Sequence, residues 1–186
     1  VMFRYTPLKH VYLGRYVSSN KKDFAGLLSL SSLTIGEGVT SLSSSVSFEG
    51  CSNLTSVTIL GSSLSSIYSG TFYGCSSIDS VAITDIAAWC KINFGDEYAN
   101  PLRTNPLLSA RAKFFLNGEM ITDLVIPNSV TSISKYAFYG YKRITSVDIP
   151  SSVTSIGASA FSGCSGLTGI TTIPNSVTTI GNDAFG

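Results

Sequence analysis

The feature that most constrains this chain is a segment that occurs twice almost unchanged, IPNSVTSISKYAFYG at 126–140 and IPSSVTSIGASAFSG at 149–163. Its phenylalanine recurs along the sequence, at Phe24, Phe48, Phe72, Phe138, Phe161 and Phe185. Successive positions are 23 or 24 residues apart, except for one gap of 66. A fixed period of this length indicates units that stack on one another, because one such unit is too short to bury its own apolar side chains.

A second pattern, L-x-x-V-x-I, begins six residues after five of these phenylalanines and also occurs twice elsewhere. Its seven copies begin at Leu8, Leu30, Leu54, Ile78, Ile121, Ile144 and Leu167, the last with one extra residue. The alternation V-x-I predicts a short strand with Val57 and Ile59 facing inward and Ser56 and Thr58 facing outward. Each phenylalanine lies in a segment that predicts a single 3₁₀ or α-helical turn.

A second, shorter apolar pair follows in S-V-T-x-I, such as Val153 and Ile156. Gly157 and Gly181 come next, and we expect them to supply a tight turn. Another set of glycines follows the phenylalanines, at Gly50, Gly74, Gly140 and Gly163. Their recurrence predicts either a positive φ angle or a close approach of the neighbouring coil.

The repeated segment resembles the BspA type of leucine-rich repeat, whose pattern reads roughly I-P-x-S-V-T-x-I-G-x-x-A-F-x-G-C-x-x-L-T-x-V. Residues 46–83 and 126–186 are the closest matches, and residues 8–45 are a degenerate version. The resemblance implies a right-handed, strand-rich leucine-rich-repeat solenoid with short 3₁₀ or helical turns and a parallel β ladder along one face. It also implies a surface or secreted protein of a host-associated bacterium that acts as an adhesin or binds host proteins.

We expect residues 1–186 to form a single repeat solenoid that is a fragment of a longer chain. The opening residues lack the apolar stretch of a signal peptide, and the last residues, NDAFG, stop within a repeat.

Residues 84–120 depart from the pattern, and we expect an inserted short helix plus β-hairpin within the array. Asp85 or Thr84 can cap a helix from Ile86 to about Asn93, and Asn117-Gly118 between apolar runs predicts a hairpin. The segment either packs Trp89, Phe94 and Phe115 over one side of the solenoid or presents Tyr98 and its loop neighbours for binding.

Composition limits the classes of partner. Charged residues are 12% of the chain, against about 25% in ordinary soluble domains, and the formal net charge is +1. The chain therefore lacks the basic excess that nucleic acid or an anionic membrane attracts. No apolar run reaches the ~18 residues of a membrane span, so direct membrane insertion is not expected. A surface rich in Ser and Thr favours an extracellular or cell-surface location.

Three cysteines, Cys51, Cys75 and Cys164, fall in one column of the repeat, a column that Leu27 and Tyr141 occupy in other copies. A position that also accepts leucine favours buried apolar volume over a disulfide or a metal ligand. Neither CxxC nor His-rich spacing occurs, so the sequence predicts no metal site and no cofactor.

Catalytic candidates are few. His10 is the single histidine, and its place in the strand pattern predicts a solvated side chain. Asp123 and Asp148 are expected to point outward on successive coils in neighbouring columns. Paired carboxylates occur in glycosidases, but an open face offers nothing to desolvate one acid and raise its pKa.

We therefore expect a non-enzymatic cell-surface or secreted protein that presents its solenoid to a protein or glycan partner. A structural stalk that supports another domain is the alternative, and an enzyme that acts on polysaccharide is a remote one. The candidate binding surface comprises His10, Tyr12, Arg15, Tyr98, Asp123 and Asp148.

Overall fold

The computed structural model describes residues 6–15, 24–103, 112–169 and 172–186. The strands are β1 His10–Arg15, β2 Ser32–Gly38, β3 Ser41–Leu42, β4 Ser56–Ile59, β5 Ser66–Ile67, β6 Ser80–Ile83, β7 Asn93–Phe94, β8 Lys113–Leu116, β9 Glu119–Met120, β10 Asp123–Val125, β11 Ser132–Ile133, β12 Ser146–Asp148, β13 Ser155–Ile156 and β14 Thr179–Ile180. One helix, α1, covers Ile86–Lys91, and a 3₁₀ turn covers Glu97–Ala99. The described chain is a strand-rich solenoid, as predicted.

The strands form four sheets in which successive coils pair in parallel. A six-stranded sheet has the order β1-β2-β4-β6-β8-β9, and only β8 and β9 are antiparallel. The sheet β3-β5-β7 covers a second side of the same coils, and the sheets β10-β12 and β11-β13-β14 continue the two sides in the later coils. The core lies between the two sides.

The L-x-x-V-x-I residues stack as columns, which confirms the predicted alternation. Val57 lies between Leu33 and Val81 in the register, and Ile59 lies between Ile35 and Ile83. All six side chains named in these two columns are buried. Val153 and Ile156 are buried as well, at 0% and 1% exposure. Ile170 lies outside the described residues.

The phenylalanines form the axis of the stack. Phe24, Phe48 and Phe72 stack with ring centroids 5.2 and 5.9 Å apart and interplanar angles of 12° and 11°. The later coils repeat this arrangement, with Phe138–Phe161 at 5.1 Å and Phe161–Phe185 at 5.3 Å. Within each of these two groups, a ring thus covers the ring of the coil before it.

The two sets of glycines have different physical causes. Gly50, Gly74, Gly140 and Gly163 have φ between 72° and 75°, which only glycine adopts without strain. Gly157 and Gly181, expected to serve a tight turn, are instead required by close packing. A Cβ on either would lie 2.3 Å from a backbone nitrogen of the preceding coil, Lys135 N or Ala158 N.

Residues 84–120 supply strands to both sides of the solenoid. The Asp85 side chain accepts from Ala88 N–H and begins α1, which ends at Lys91, two residues before the predicted end. β7 pairs with β5, and β8 pairs with β6. Trp89 and Phe94 are buried, whereas Phe115 is half-buried. Its neighbour Phe114 is fully buried, because it pairs with Val81 in the inward column.

The hairpin lies at the predicted Asn117-Gly118, with φ of 51° and 88°. The division of residues 1–186 into one solenoid with an insertion at 84–120 stays a prediction. None of the helices in the described ranges has the length and apolarity that a membrane crossing needs.

Candidate functional site

Three of the predicted site residues lie on β1. His10 and Tyr12 are exposed, with Tyr12 at 66%, and Arg15 is exposed at the end of the strand. His10 Nδ1 lies 2.6 Å from Ser32 Oγ on the next coil. These residues share one strand but make no contact with Tyr98, which lies in the 3₁₀ turn after β7.

The two aspartates lie on adjacent strands, in the predicted columns. Asp123 pairs with Ser146, and Asp148 pairs with Val125. Thr145 Oγ1 and Ser146 Oγ both donate to Asp123 Oδ1, at 3.0 and 2.5 Å. These hydrogen bonds, led by that of Ser146, lower the pKa of the exposed Asp123. A general acid needs the opposite shift.

Asp148 lines an open hollow together with Gly169 and Thr172, and Asp123 is not among the residues that line it. The two carboxylates therefore do not line this hollow together, whereas glycoside hydrolysis uses two carboxylates that flank one bond.

Tyr98 belongs to a group of aromatic and cationic side chains that we call the tyrosine cluster: Tyr73, Tyr98, Arg103, Tyr136 and Tyr139. The rings of Tyr73 and Tyr98 meet edge to face at 4.9 Å, and those of Tyr136 and Tyr139 meet at 5.7 Å. The guanidinium carbon of Arg103 lies 3.8 Å from the Tyr98 centroid and 5.7 Å from that of Tyr139, so it joins the two pairs. The cluster crosses three successive coils.

Charges around the tyrosine cluster balance. Arg103 lies 3.7 Å from Glu97, and Lys135 Nζ donates to Gly95 O at 3.2 Å and lies 5.9 Å from the Tyr136 centroid. Burial, followed by the negative charges of Glu97 and Asp96, raises the pKa of Tyr136. Tyr136 therefore presents a neutral phenol at physiological pH.

All members of the cluster except Tyr73 lie on the seam, which we define as the joint between residues 84–120 and residues 121–145. At the joints within 24–83, the N–H of a phenylalanine donates across to the next coil, as Phe48 N does to Thr71 O at 3.0 Å. Phe72 N donates in the same way to Tyr98 O, so Ala99 takes the place of the next phenylalanine. Ala99 N, however, donates within its own 3₁₀ turn, to Asp96 O.

That turn leaves the carbonyl of Ala137 without its usual backbone donor, and side chains replace it. Asn100 Nδ2 donates to Ala137 O at 3.0 Å and to Tyr136 O at 2.7 Å. Trp89 Nε1 donates to Ala137 O at 2.9 Å. Asn100 and Trp89 are buried, so these bonds fix the backbone that carries Tyr136.

Tyr136 has an unusual backbone conformation. Its φ is 60°, a region that bulky residues rarely occupy. The equivalent places, two residues before a phenylalanine, hold Gly70, Ser159 and Asp183, also with φ between 53° and 71°. Three other coils therefore share this angle, although Val46, two residues before Phe48, is not among the residues with positive φ. At Tyr136 the angle costs about 1–3 kcal/mol.

The cysteine column is buried, as predicted. Cys51, Cys75 and Cys164 are free thiols, and each Sγ lies 3.1 Å from the carbonyl oxygen of a phenylalanine in the preceding coil, to which it donates. Burial raises the pKa of Cys51 to about 11 and that of Cys164 to about 12. Tyr141 fills the same column, and its hydroxyl donates to Ile121 O. Within the described ranges, no three metal-ligating side chains come together.

The sequence interpretation missed most of the tyrosine cluster. It named Tyr98 but not Tyr73, Arg103, Tyr136 or Tyr139, because these positions are separated by up to 66 residues and meet only when the coils stack. One usable signal was the aromatic at position 136, where the other late coils have Ser159 and Asp183.

The stacked columns identify the repeat, and a family model agrees with them. The model for the BspA-type leucine-rich repeat region matches residues 1–93 and 109–186, in six copies. The chain belongs to the BspA-type leucine-rich repeat family. Proteins with this BspA-type repeat and fold are typically non-enzymatic scaffolds.

Solved structures similar to this BspA-type chain are leucine-rich repeat proteins. One from T. pallidum aligns with a TM-score of 0.50 and 21% identity, over 94% of this chain and 74% of that one. One from Bacteroides ovatus aligns with a TM-score of 0.44 and 19% identity, over 95% of this chain and 54% of that one. A leucine-rich cell surface protein from Faecalibacterium prausnitzii aligns at 0.31 and 18%, over 96% and 79%. Comparison with curated proteins gives no match.

Proposed function

We propose that this chain is a non-enzymatic binding or adhesion protein, located at the cell surface or secreted, and that the tyrosine cluster is its main contact with a partner. The observation that carries the proposal is the group Tyr73, Tyr98, Arg103, Tyr136 and Tyr139, all but Tyr73 at the seam. Tyr73 is 52% exposed, and the other three tyrosines are partly exposed.

The residue types in the cluster favour a protein partner over a glycan. Tyrosine and arginine are enriched among the residues that dominate the energy of protein interfaces, since they supply large contact area with a polar end. The four tyrosines are already held by ring contacts and by Arg103, so little side-chain entropy is lost on binding.

The strain at Tyr136 supports a role beyond folding. Glycine, serine and aspartate fill the same place in other coils and satisfy the turn at lower cost. An aromatic residue kept at φ of 60° is better explained by what its ring contacts than by the stability of the coil. The Ser- and Thr-rich, weakly charged surface supports the extracellular location.

The test measures binding of the chain to a panel of purified extracellular-matrix proteins, laminin, collagen, fibronectin and fibrinogen, by surface plasmon resonance. Tyr136→Gly should weaken binding at least tenfold while the free energy of unfolding changes by less than about 1 kcal/mol, because the glycine relieves the strained φ. Ser159→Gly is the matched control: it changes the same backbone position one coil later and should leave binding unchanged.

Two results would contradict the proposal. Absence of binding to every member of the panel would favour the stalk, and equal binding by Tyr136→Gly and the original chain would remove the tyrosine cluster from the interface. Hydrolysis of a polysaccharide that Asp123→Asn and Asp148→Asn abolish would establish the enzyme alternative instead.

A further inference from the structure

A hollow of about 320 Å³ lies between two neighbouring coils. Its lining residues come from the turns after β3 and β5: Ser43, Ser44, Val46, Ser47, Tyr68, Ser69 and Thr71. The volume is at the lower end of the range for small-molecule sites. It matches one sugar ring better than a peptide segment.

The hollow has a buried floor and an exposed aromatic rim. Val46, Ser47 and Thr71 are 5%, 5% and 2% exposed, whereas Tyr68 is 55% exposed. Phe48 N donates to Thr71 O at 3.0 Å beneath the hollow, and Thr71 Oγ1 donates to Tyr68 O at 2.7 Å. These bonds hold the two turns in place, so the hollow is formed by backbone as well as by side chains.

Hydroxyl groups dominate the lining. Ser47 Oγ accepts from Glu49 N at 3.2 Å and keeps its own proton to donate, while Thr71 Oγ1 donates and keeps lone pairs to accept. Ser44 and Ser69 add further hydroxyls. A surface that both donates and accepts suits the alternating hydroxyls of a sugar, and a tyrosine ring suits its apolar C–H face.

The charge around the hollow selects among sugars. None of the seven lining residues carries a charge. The carboxylate of Asp96 is tied to these turns, because its Oδ1 accepts from Gly70 N at 3.0 Å. An anionic sugar would find no cation to pair with and would face this carboxylate.

We propose that this hollow binds a single neutral pyranose residue, with Tyr68 against one face of the ring and the hydroxyls of Ser44, Ser47 and Thr71 around its edge. The site is separate from the tyrosine cluster, since the two share no residue. It gives the solenoid a second binding function, toward neutral glycans.

The experiment is saturation-transfer difference NMR on the full chain with methyl α-D-mannopyranoside, methyl β-D-galactopyranoside and methyl β-D-glucopyranoside, and with N-acetylneuraminic acid as the anionic comparison. Saturation transfer is expected to at least one neutral glycoside and not to the acid. Tyr68→Ala should raise the Kd at least tenfold. Ser44→Val, which fills the hollow but keeps Tyr68, should also raise it.

Leu28→Ala is the control, because Leu28 is 61% exposed and belongs to neither site. Circular dichroism of each variant checks that the fold is kept. The proposal is overturned if none of the three neutral glycosides receives saturation, if the acid binds as well as they do, or if Tyr68→Ala and Ser44→Val bind as the original chain does. None of these outcomes bears on the tyrosine cluster, so the two proposals fail separately.

Discussion

From residue 24 to residue 83, backbone hydrogen bonds and stacked phenylalanines join each coil to the next, whereas at the seam buried side chains make much of the joint. Phe48 N bonds to Thr71 O in the first region, and Asn100 and Trp89 side chains bond to Ala137 O in the second. The aromatic axis changes as well, from parallel rings to Trp89, Phe94 and Phe114 packed at 48° and 60°.

In the regular coils the repeat supplies backbone hydrogen bonds between neighbours, and at the seam side-chain hydrogen bonds replace some of them. A backbone ladder tolerates many sequences, because any residue except proline donates an N–H. A joint made by side chains depends on a few specific residues, and each is buried with the carbonyl it satisfies. Substitutions should therefore cost more at the seam than at equivalent regular positions.

The largest expected effect is that of Trp89→Ala. It removes a fully buried ring that contacts Phe94 and Phe114 and that donates to Ala137 O. We expect the free energy of unfolding to fall by about 3–5 kcal/mol, measured by urea denaturation. Trp89→Phe keeps most of the volume and should cost distinctly less. Equal stability of the Ala variant and the original chain would show that the seam does not depend on this ring.

Asn100→Ala comes next. The substitution leaves the buried Leu102 N without its acceptor, and it removes one of the two donors to Tyr136 O and one of the two donors to Ala137 O. A loss of about 2–4 kcal/mol is expected. Asn53→Ala is the matched control in a regular coil, since Asn53 is exposed and makes one bond, to Leu28 O. Similar losses for the two variants would erase the distinction between the regions.

Gly95 and Gly157 hold equivalent places in residues 84–120 and in a regular coil, so we expect alanine substitutions at the two positions to lower stability by similar, smaller amounts. A Cβ on Gly95 would lie 2.4 Å from Ser69 N, and one on Gly157 would lie 2.3 Å from Lys135 N. Gly95→Ala and Gly157→Ala should each cost about 1–3 kcal/mol. Thermal unfolding measures both. If Gly95→Ala proved harmless, residues 84–120 would be seated more loosely on the preceding coil than the structure shows.

Gly140→Asn separates the two kinds of glycine. Gly140 has φ of 73° and nothing within 4 Å of its Cβ position, so a residue that tolerates this angle should fit. Gly157→Asn should lower the stability, because a Cβ at this position would lie 2.3 Å from Lys135 N with any type of side chain. The same thermal measurement distinguishes them.

Much of this fold could be predicted from the sequence, because stacking places equivalent residues of successive repeats directly above one another. Val57, Val81 and their neighbours needed only the period and the two-residue alternation. Local signals gave Asp85 or Thr84 as the cap of α1, of which Asp85 is the cap, and Asn117-Gly118 as the hairpin.

The seam could not be predicted in this way. Asn93, Phe94 and Gly95 act as the equivalent of the S-I-G in a regular coil, but α1 changes their spacing, and the pattern is no longer recognisable. Phe114 and Phe115 are adjacent aromatics, so composition does not say which faces inward. The role of Asn100 depends on a carbonyl 37 residues away, which no local pattern reveals.

The smallest expected effect is that of a thiol reagent on the folded chain, which should not react. Iodoacetamide at pH 8 should leave all four cysteines unmodified in the folded chain, as mass spectrometry would show. They are buried, and burial raises the pKa of Cys51 to about 11 and that of Cys90 to about 12, so little thiolate exists at this pH.

In urea all four thiols should react. Since the folded pKa values are raised, the folded chain holds these protons above pH 9 while the unfolded chain releases them, and stability should fall as the pH rises beyond that value. Native labelling of Cys90, but not of Cys51, would show that the seam opens on its own.

The hairpin β8–β9 ends the six-stranded sheet. The hydrophobic core continues beyond it through contacts of Phe114 with Phe138 and Tyr141. At this joint the hydrogen bonding of the large sheet stops, but the hydrophobic core continues. Under a steady pull from both ends, we expect the chain to part first at this joint, into two blocks of coils that keep their own shape.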